Sequence, residues 1–225
     1  MADVAASGLL NFSDGTVAPM YRSDLAEGTL EEVQTDADFT TVAQSIGDYA
    51  PGKTVVGGIM TAKNNIAYAY ISRRGQPATI IMVAKTGVVG SGTFPCKPFR
   101  LQAGDQLEVM ARTATARNLA VGVWCNDGTQ RVFTVLGASG TVTPVDSITG
   151  NGLGATLEGQ TVKSMFMTSI DADLNTSAAG VVAINAQGAP VGAVAASNAI
   201  TESPKWSPCN IPVKLNYAFK CTFSA

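Results

Sequence analysis

Apolar and polar positions alternate in twos over most of this chain, the spacing of a β-strand with one face turned inward. Residues 66–71 show it most plainly: Ile66, Tyr68 and Tyr70 fall on one face, Ala67, Ala69 and Ile71 on the other. Arg74 and Gly75 predict a turn, and residues 79–83 return with β-branched side chains suited to a pleated surface. Residues 93–101 carry Pro95 and Pro98, which lack a ladder donor and belong at a sheet edge or bend. The next turn, at 102–105, leads into Leu107, Val109 and Ala111 on one face. Nearer the start, apolar runs at 8–12 and 16–20 flank Asp14 and Gly15, and runs at 121–125 and 131–135 flank Asp127 and Gly128. Asp-Gly between apolar runs predicts a hairpin, because glycine accepts the positive φ of a tight turn. One helix is predicted over 36–46: Phe39, Val42, Ala43 and Ile46 share a face behind Asp38 as cap, with Gly47 as the stop. The second half predicts an open loop over 147–155 and strands over 162–170, 180–185, 190–196 and 211–223. With about six to eight strands per half and no alternating helices, the pattern is all-β, built of antiparallel sandwiches or barrels with at most one short helix.

The pattern also repeats. Gly52, Thr54, Val55, Met60 and Thr61 return as Gly159, Thr161, Val162, Met167 and Thr168, 107 positions later. Asp14-Gly15-Thr16 returns as Asp127-Gly128-Thr129, Ile71, Gly75 and Pro77 as Ile184, Gly188 and Pro190, and Pro95-Cys96 as Pro208-Cys209, each 113 positions later. Pro98, Leu101 and Ala111 then find Pro212, Leu215 and Ala225 at an offset of 114. A constant order with a drifting offset predicts an internal duplication, with one β module over 1–111 and a second over 114–225.

Composition changes the picture in two ways. Charged residues are 14% of the chain and the net charge is −2, a surface poorly protected against association, which points to burial against other subunits. The charge is also unevenly placed. Residues 1–48 hold nine acids and the single base Arg22. Residues 49–104 hold seven bases (Lys53, Lys63, Arg73, Arg74, Lys85, Lys97 and Arg100) and no acid. A positive face for nucleic acid is the weaker reading, because the bases are spread singly over several strands. A face that meets an acidic face, within a module or between subunits, is the stronger one. No basic segment followed by an apolar run opens the sequence, so synthesis in the cytoplasm without a signal peptide is expected. Residues 174–201 are uncharged, but Asn, Gln, Gly and Pro interrupt them too often for a membrane span, and they read as a β-hairpin.

Candidate chemistry is sparse. The chain has no histidine, which removes the commonest general base and the Ser-His and Cys-His pairs. Cys125 and Cys221 align with Phe12 and Leu107, so they read as small buried hydrophobes in the reduced state, although a bridge between Cys209 and Cys221 stays open. No CxxC pair, P-loop or dinucleotide fingerprint occurs. Asp171, Asp173 and Asn175 resemble the start of a calcium loop, but Thr176 and Val182 stand where such a loop needs its glycine and bidentate glutamate, and a solvated turn is expected. Tyr68 and Tyr70, or Trp206 beside Pro208, are the aromatics able to form a sugar-stacking platform, with core packing as the competing role. No residue is assigned a catalytic, cofactor-binding or metal-ligating role, and the chain is not expected to be an enzyme.

A signal-free, histidine-free, charge-poor chain of two β modules resembles virion structural proteins, such as the jelly-roll capsid and decoration proteins of viruses and phages. Its nearest local carrier is residues 98–110, where Leu101 and Gln102 lead through Gly104-Asp105 into Leu107 and Val109, similar to a strand-turn-strand passage of jelly rolls. The resemblance implies jelly-roll-like modules, a virion location, and partners that are copies of the same chain in a ring or lattice together with other virion proteins. Two other classes fit the same pattern. One is a tandem carbohydrate-binding or phage receptor-binding protein and the other a small β-rich hydrolase with two carboxylates in a pocket.

Overall fold

The two Asp-Gly turns each set a hairpin, and the rest of the fold grows outward from them. The structure is a computed structural model that describes residues 4–26, 28–33, 45–62, 65–84, 92–94, 96–113, 118–135, 141–170, 179–196 and 206–223. The chain divides into two units, Met1–Thr113 and Ala114–Ala225.

In the first unit, β1 (Val4–Phe12) and β2 (Val17–Leu25) turn at Gly15, whose φ is +82°. Phe12 N donates to Thr16 O at 2.9 Å, and Asp14 Oδ1 accepts from Thr16 N at 3.0 Å. There follow β3 (Leu30–Glu32), the helix α1 (Ile46–Tyr49), β4 (Thr54–Ala62), β5 (Asn65–Arg73) and β6 (Gln76–Ala84). β7 (Gly92–Phe94), β8 (Phe99–Arg100) and β9 (Gln106–Thr113) complete the unit. One sheet runs β2-β1-β4, with β7 and β8 both on the far side of β4, and the other runs β3-β9-β5-β6. The antiparallel pairs β5 with β6, β4 with β7 and β8, and β3 with β9 nest one within the next in alternate sheets, while β1 and β2, which both precede β3, pair as a hairpin in the first sheet. A doubled ribbon wound this way gives two facing layers, and β4 lies against β6 across the interior.

The second unit consists of β10 (Asn118–Cys125), β11 (Gln130–Val135), β12 (Thr141–Val142), β13 (Val145–Asp146), the helix α2 (Leu153–Leu157), β14 (Thr161–Ile170), β15 (Ala179–Ile184), β16 (Pro190–Ala196), β17 (Ser207–Pro212) and β18 (Ala218–Phe223). Its sheets run β13-β11-β10-β14-β17 and β12-β18-β15-β16. The pairs nest in the same order, with Gly128 at φ +90° and Cys125 N donating to Thr129 O at 2.8 Å in the first turn. Leu119, Val121 and Val123 of β10, Met165 and Met167 of β14, Val181 and Ala183 of β15 and Cys221 of β18 fill one core between the layers. Phe133 and Phe219 meet there edge to face, with ring centroids 5.2 Å apart.

The all-β antiparallel class read from the sequence is what the structure has, and its details differ in four places. Two short helices form, not one. Residues 36–44 of the predicted helix lie outside the described residues, and the described helix begins later, capped by Ser45, whose Oγ accepts from Asp48 N at 3.2 Å. Gly47 does not stop this helix but lies inside it, because a Cβ there would sit 1.9 Å from the carbonyl oxygen of Gln102. The predicted open loop over 147–155 instead ends in α2, where a Cβ on Gly154 would meet the carbonyl oxygen of Leu215 at the same 1.9 Å. The predicted strand over 211–223 is two strands in different sheets, broken by the turn at 213–217. Among the described residues nine strands per unit exceed the expected six to eight, because two- and three-residue pieces such as β7, β8, β12 and β13 stand separately.

The hydrogen bonds also revise the offset of the last strand. Gly47 N donates to Asp105 O at 2.9 Å, and Gly154 N donates to Tyr217 O at 2.8 Å. Leu101 N reaches Lys53 O as Val213 N reaches Gln160 O, both at 2.8 Å. Asp105 therefore corresponds to Tyr217, Leu107 to Phe219 and Val109 to Cys221, in place of the earlier pairings of Leu101 with Leu215 and Leu107 with Cys221. Among the described residues no helix is long and apolar enough to cross a membrane.

Candidate functional site

The two units diverge most in chemistry at one matched corner. Each corner is built from the glycine turn before β4 or β14, the hairpin loop that follows β5 or β15, and the turn that enters β9 or β18. Arg73 is the last residue of β5 and pairs with Gln76 across a two-residue turn. Asn185 holds that place after β15, where its N donates to Ala189 O at 3.0 Å across a loop one residue longer.

In the first unit the corner is bridged by charge. Arg73 Nε donates to Asp105 Oδ1 at 2.8 Å and its Nη2 to Asp105 Oδ2 at 2.7 Å, a bidentate pair. The same Nη2 donates to the Arg100 carbonyl at 3.0 Å, and the guanidinium lies 4.7 Å from the centroid of the Phe99 ring. Asp105 is 1% exposed and also accepts from Gln102 N at 2.8 Å. Hydrogen bonding to Asp105 raises the Arg73 pKa above its ordinary value.

In the second unit Asn185 and Tyr217 replace that pair, and the corner is a cleft of about 570 Å³. Glu158, Asn185, Gln187, Lys214, Leu215, Asn216 and Tyr217 are among the residues that line it. Asn185 Oδ1 accepts from Gln187 N at 3.0 Å and Ala189 N at 2.9 Å, which fixes the loop and leaves its amide nitrogen as the group it can offer a ligand. Tyr217 packs partly against the core, so its ring is held, while Leu215 is 55% exposed. Opposite charges, Glu158 and Lys214, sit on exposed positions of the wall. The arrangement can hold a small polar ligand by hydrogen bonds.

The residues singled out in the sequence are scattered. Tyr68 and Tyr70 are fully buried, as are Ala69 and Ile71, so the strand offers no stacking platform. Trp206 packs edge to face on Phe166, with centroids 4.8 Å apart. Asp171, Asp173, Asn175, Lys63 and Lys85 lie outside the described residues. Of the remaining bases, Lys53 pairs with Asp14 at 3.2 Å and Arg22 with Glu31 at 2.7 Å, both within the first unit. Hydrogen bonds from Thr16, with Lys53 close by, hold the Asp14 carboxyl down at about 2. All four cysteines are free. Burial pushes the thiols of Cys96 and Cys125 up to about 12 and that of Cys221 to about 11, and raises that of the half-buried Cys209. Sequence reasoning missed the Arg73–Asp105 pair because Asp105 read as a turn residue, and it missed Tyr217 because the offset of the last strand was two positions off. No known protein family, curated protein or solved structure matches the chain.

Proposed function

We propose that the chain is a self-assembling structural subunit of the virion type, built from two copies of one duplicated β module. The observation that carries this reading is a difference between matched sheet faces. On the outer face of the first unit, Leu9 stands between Pro19 on β2 and Ile59 on β4, and Leu9 is 41% and nearby Val17 51% exposed. The matched row of the second unit is Val132, Gly122 and Phe166, all buried. Strand β13 extends that second sheet beyond β11, whereas among the described residues β2 has no strand on its outer side. An apolar row left exposed on a sheet face is a surface that another chain covers by packing. A second copy of this chain is the occupant that fits, since a charge-poor surface of net charge −2 gives little repulsion between copies.

Two further observations support the reading. The nested strand pairs resemble the winding of a jelly roll, with β1 and β2 added to one sheet as a hairpin. The shared pairing order, the matched Asp-Gly turns and the matched helix glycines are what a duplicated module would retain. Partners are then copies of the chain, and other virion proteins, without a requirement for nucleic acid. Sedimentation velocity of the untagged chain tests the proposal: concentration-dependent assemblies are expected at micromolar protein, and a monomer at every concentration up to millimolar would overturn it.

A further inference from the structure

We infer that the cleft of the second unit binds a neutral saccharide, an activity that goes beyond assembly. The wall selects the ligand class by elimination. An apolar ligand would bury the amides of Asn185, Gln187 and Asn216 without partners. An anion would face Glu158 and a cation would face Lys214, so neither sign of charge is favoured across the whole wall. A ring bearing several hydroxyls suits the set, because each hydroxyl both donates and accepts, as amide side chains do. The carboxylate of Glu158 adds acceptors and the ammonium of Lys214 adds donors. Tyr217, which packs partly against the core, and the exposed Leu215 supply the apolar part of the lining.

The size agrees, since about 570 Å³ lies within the usual range for small-ligand sites. The first unit supplies an internal contrast. At its matched corner the Arg73–Asp105 pair spans the same elements, with Asp105 1% exposed, so the two modules differ here by replacement of a structural ion pair with open polar groups. That contrast also provides the means to close the cleft. Asn185→Arg together with Tyr217→Asp transfers to the second unit a pair the fold already accommodates in the first.

Saturation-transfer difference NMR on the full chain, with the methyl glycosides of glucose, galactose, mannose and N-acetylglucosamine as probes, tests the inference and is compatible with large assemblies. At least one probe is expected to show saturable transfer to its ring protons with a dissociation constant on the order of 1 mM. The Asn185→Arg, Tyr217→Asp variant is expected to weaken it about tenfold or more. A second variant in exposed loop positions, Gln187→Ala with Asn216→Ala, keeps the test decisive if the first fails to fold, and is expected to weaken binding about fivefold. No saturable transfer from any of the four probes, or transfer unchanged in the folded variants, would overturn the site. Wild-type sedimentation read beside these data separates a failed cleft from failed assembly.

Discussion

At the scale of single residues, the positions most sensitive to change are those where packing depends on a missing or charged group. Gly122 on β10 faces Phe166 on β14, and a Cβ at Gly122 would sit 1.8 Å from the ring. Gly122→Ala is therefore expected to destabilise the protein by about 1 to 3 kcal/mol in urea unfolding, and by much less in a Phe166→Ala background where the ring is gone. Glu32 on β3 stands directly opposite Glu108 on β9. Burial, with Glu108 beside it, raises the Glu32 pKa above its ordinary value of 4.5. The folded protein then holds a proton that the unfolded chain has released, so stability rises as pH falls through the raised pKa and is lost above it. Glu32→Gln is expected to stabilise by about 0.5 to 1 kcal/mol at pH 7, with the gain gone by about pH 4, in paired denaturant titrations. The thiols give a third residue-scale outcome. Cys209 is half-buried while Cys96, Cys125 and Cys221 are buried with raised pKa values, so a thiol reagent at pH 8 is expected to label Cys209 first. Rapid labelling of Cys125 or Cys221 in the native protein would contradict their place in the core.

At the scale of elements, legibility followed the range of the interaction. The hairpins at Gly15 and Gly128 were readable because Asp, Gly and Thr determine such turns among themselves, through Asp14 and Asp127 accepting from Thr16 and Thr129. The helices were not, because α1 and α2 are fixed by contacts that sequence spacing does not record. Gly47 reads as a helix stop and Gly154 as part of an open loop in the sequence, yet each lies where its backbone crosses a distant turn. The same limit hid the corner where the units differ, since Arg73 and Asp105 are 32 positions apart. That pair yields a prediction at this scale. Arg73→Ala leaves Asp105 buried without its guanidinium and is expected to cost about 2 to 4 kcal/mol in thermal or urea unfolding. Arg73→Asn with Asp105→Tyr installs the neutral pair of the second unit and removes the buried charge. It is expected to cost less than Arg73→Ala by at least about 1 kcal/mol, and an equal or larger cost would show that the two corners are not built alike.

At the scale of the whole molecule, the argument turns on where the charges go. The excess of bases over 49–104 invited a reading in which a basic face meets an acidic one, within a module or between subunits, and Lys53 and Arg73, like Arg22, meet Asp14, Asp105 and Glu31 inside one unit. Those charges are spent locally, and what the first unit turns outward on β1 and β2 is the apolar row around Leu9 and Val17. The proposed assembly through that face would be an apolar association, and its response to salt follows. Sodium chloride between about 0.05 and 0.5 M should change the association constant little, because there are few exposed charge pairs for it to screen. Sulfate should strengthen association, since an excluded salt favours burial of apolar surface. An interface held by charge would instead weaken steadily with ionic strength, so sedimentation in the two salts separates the mechanisms. Leu9→Asp with Val17→Asp places two like charges on the face and is expected to lower the association constant more than about tenfold. Both positions are exposed, so the unfolding midpoint of the isolated subunit should move by no more than about 0.5 kcal/mol equivalent. Assembly unchanged in this variant would remove the face from the interface.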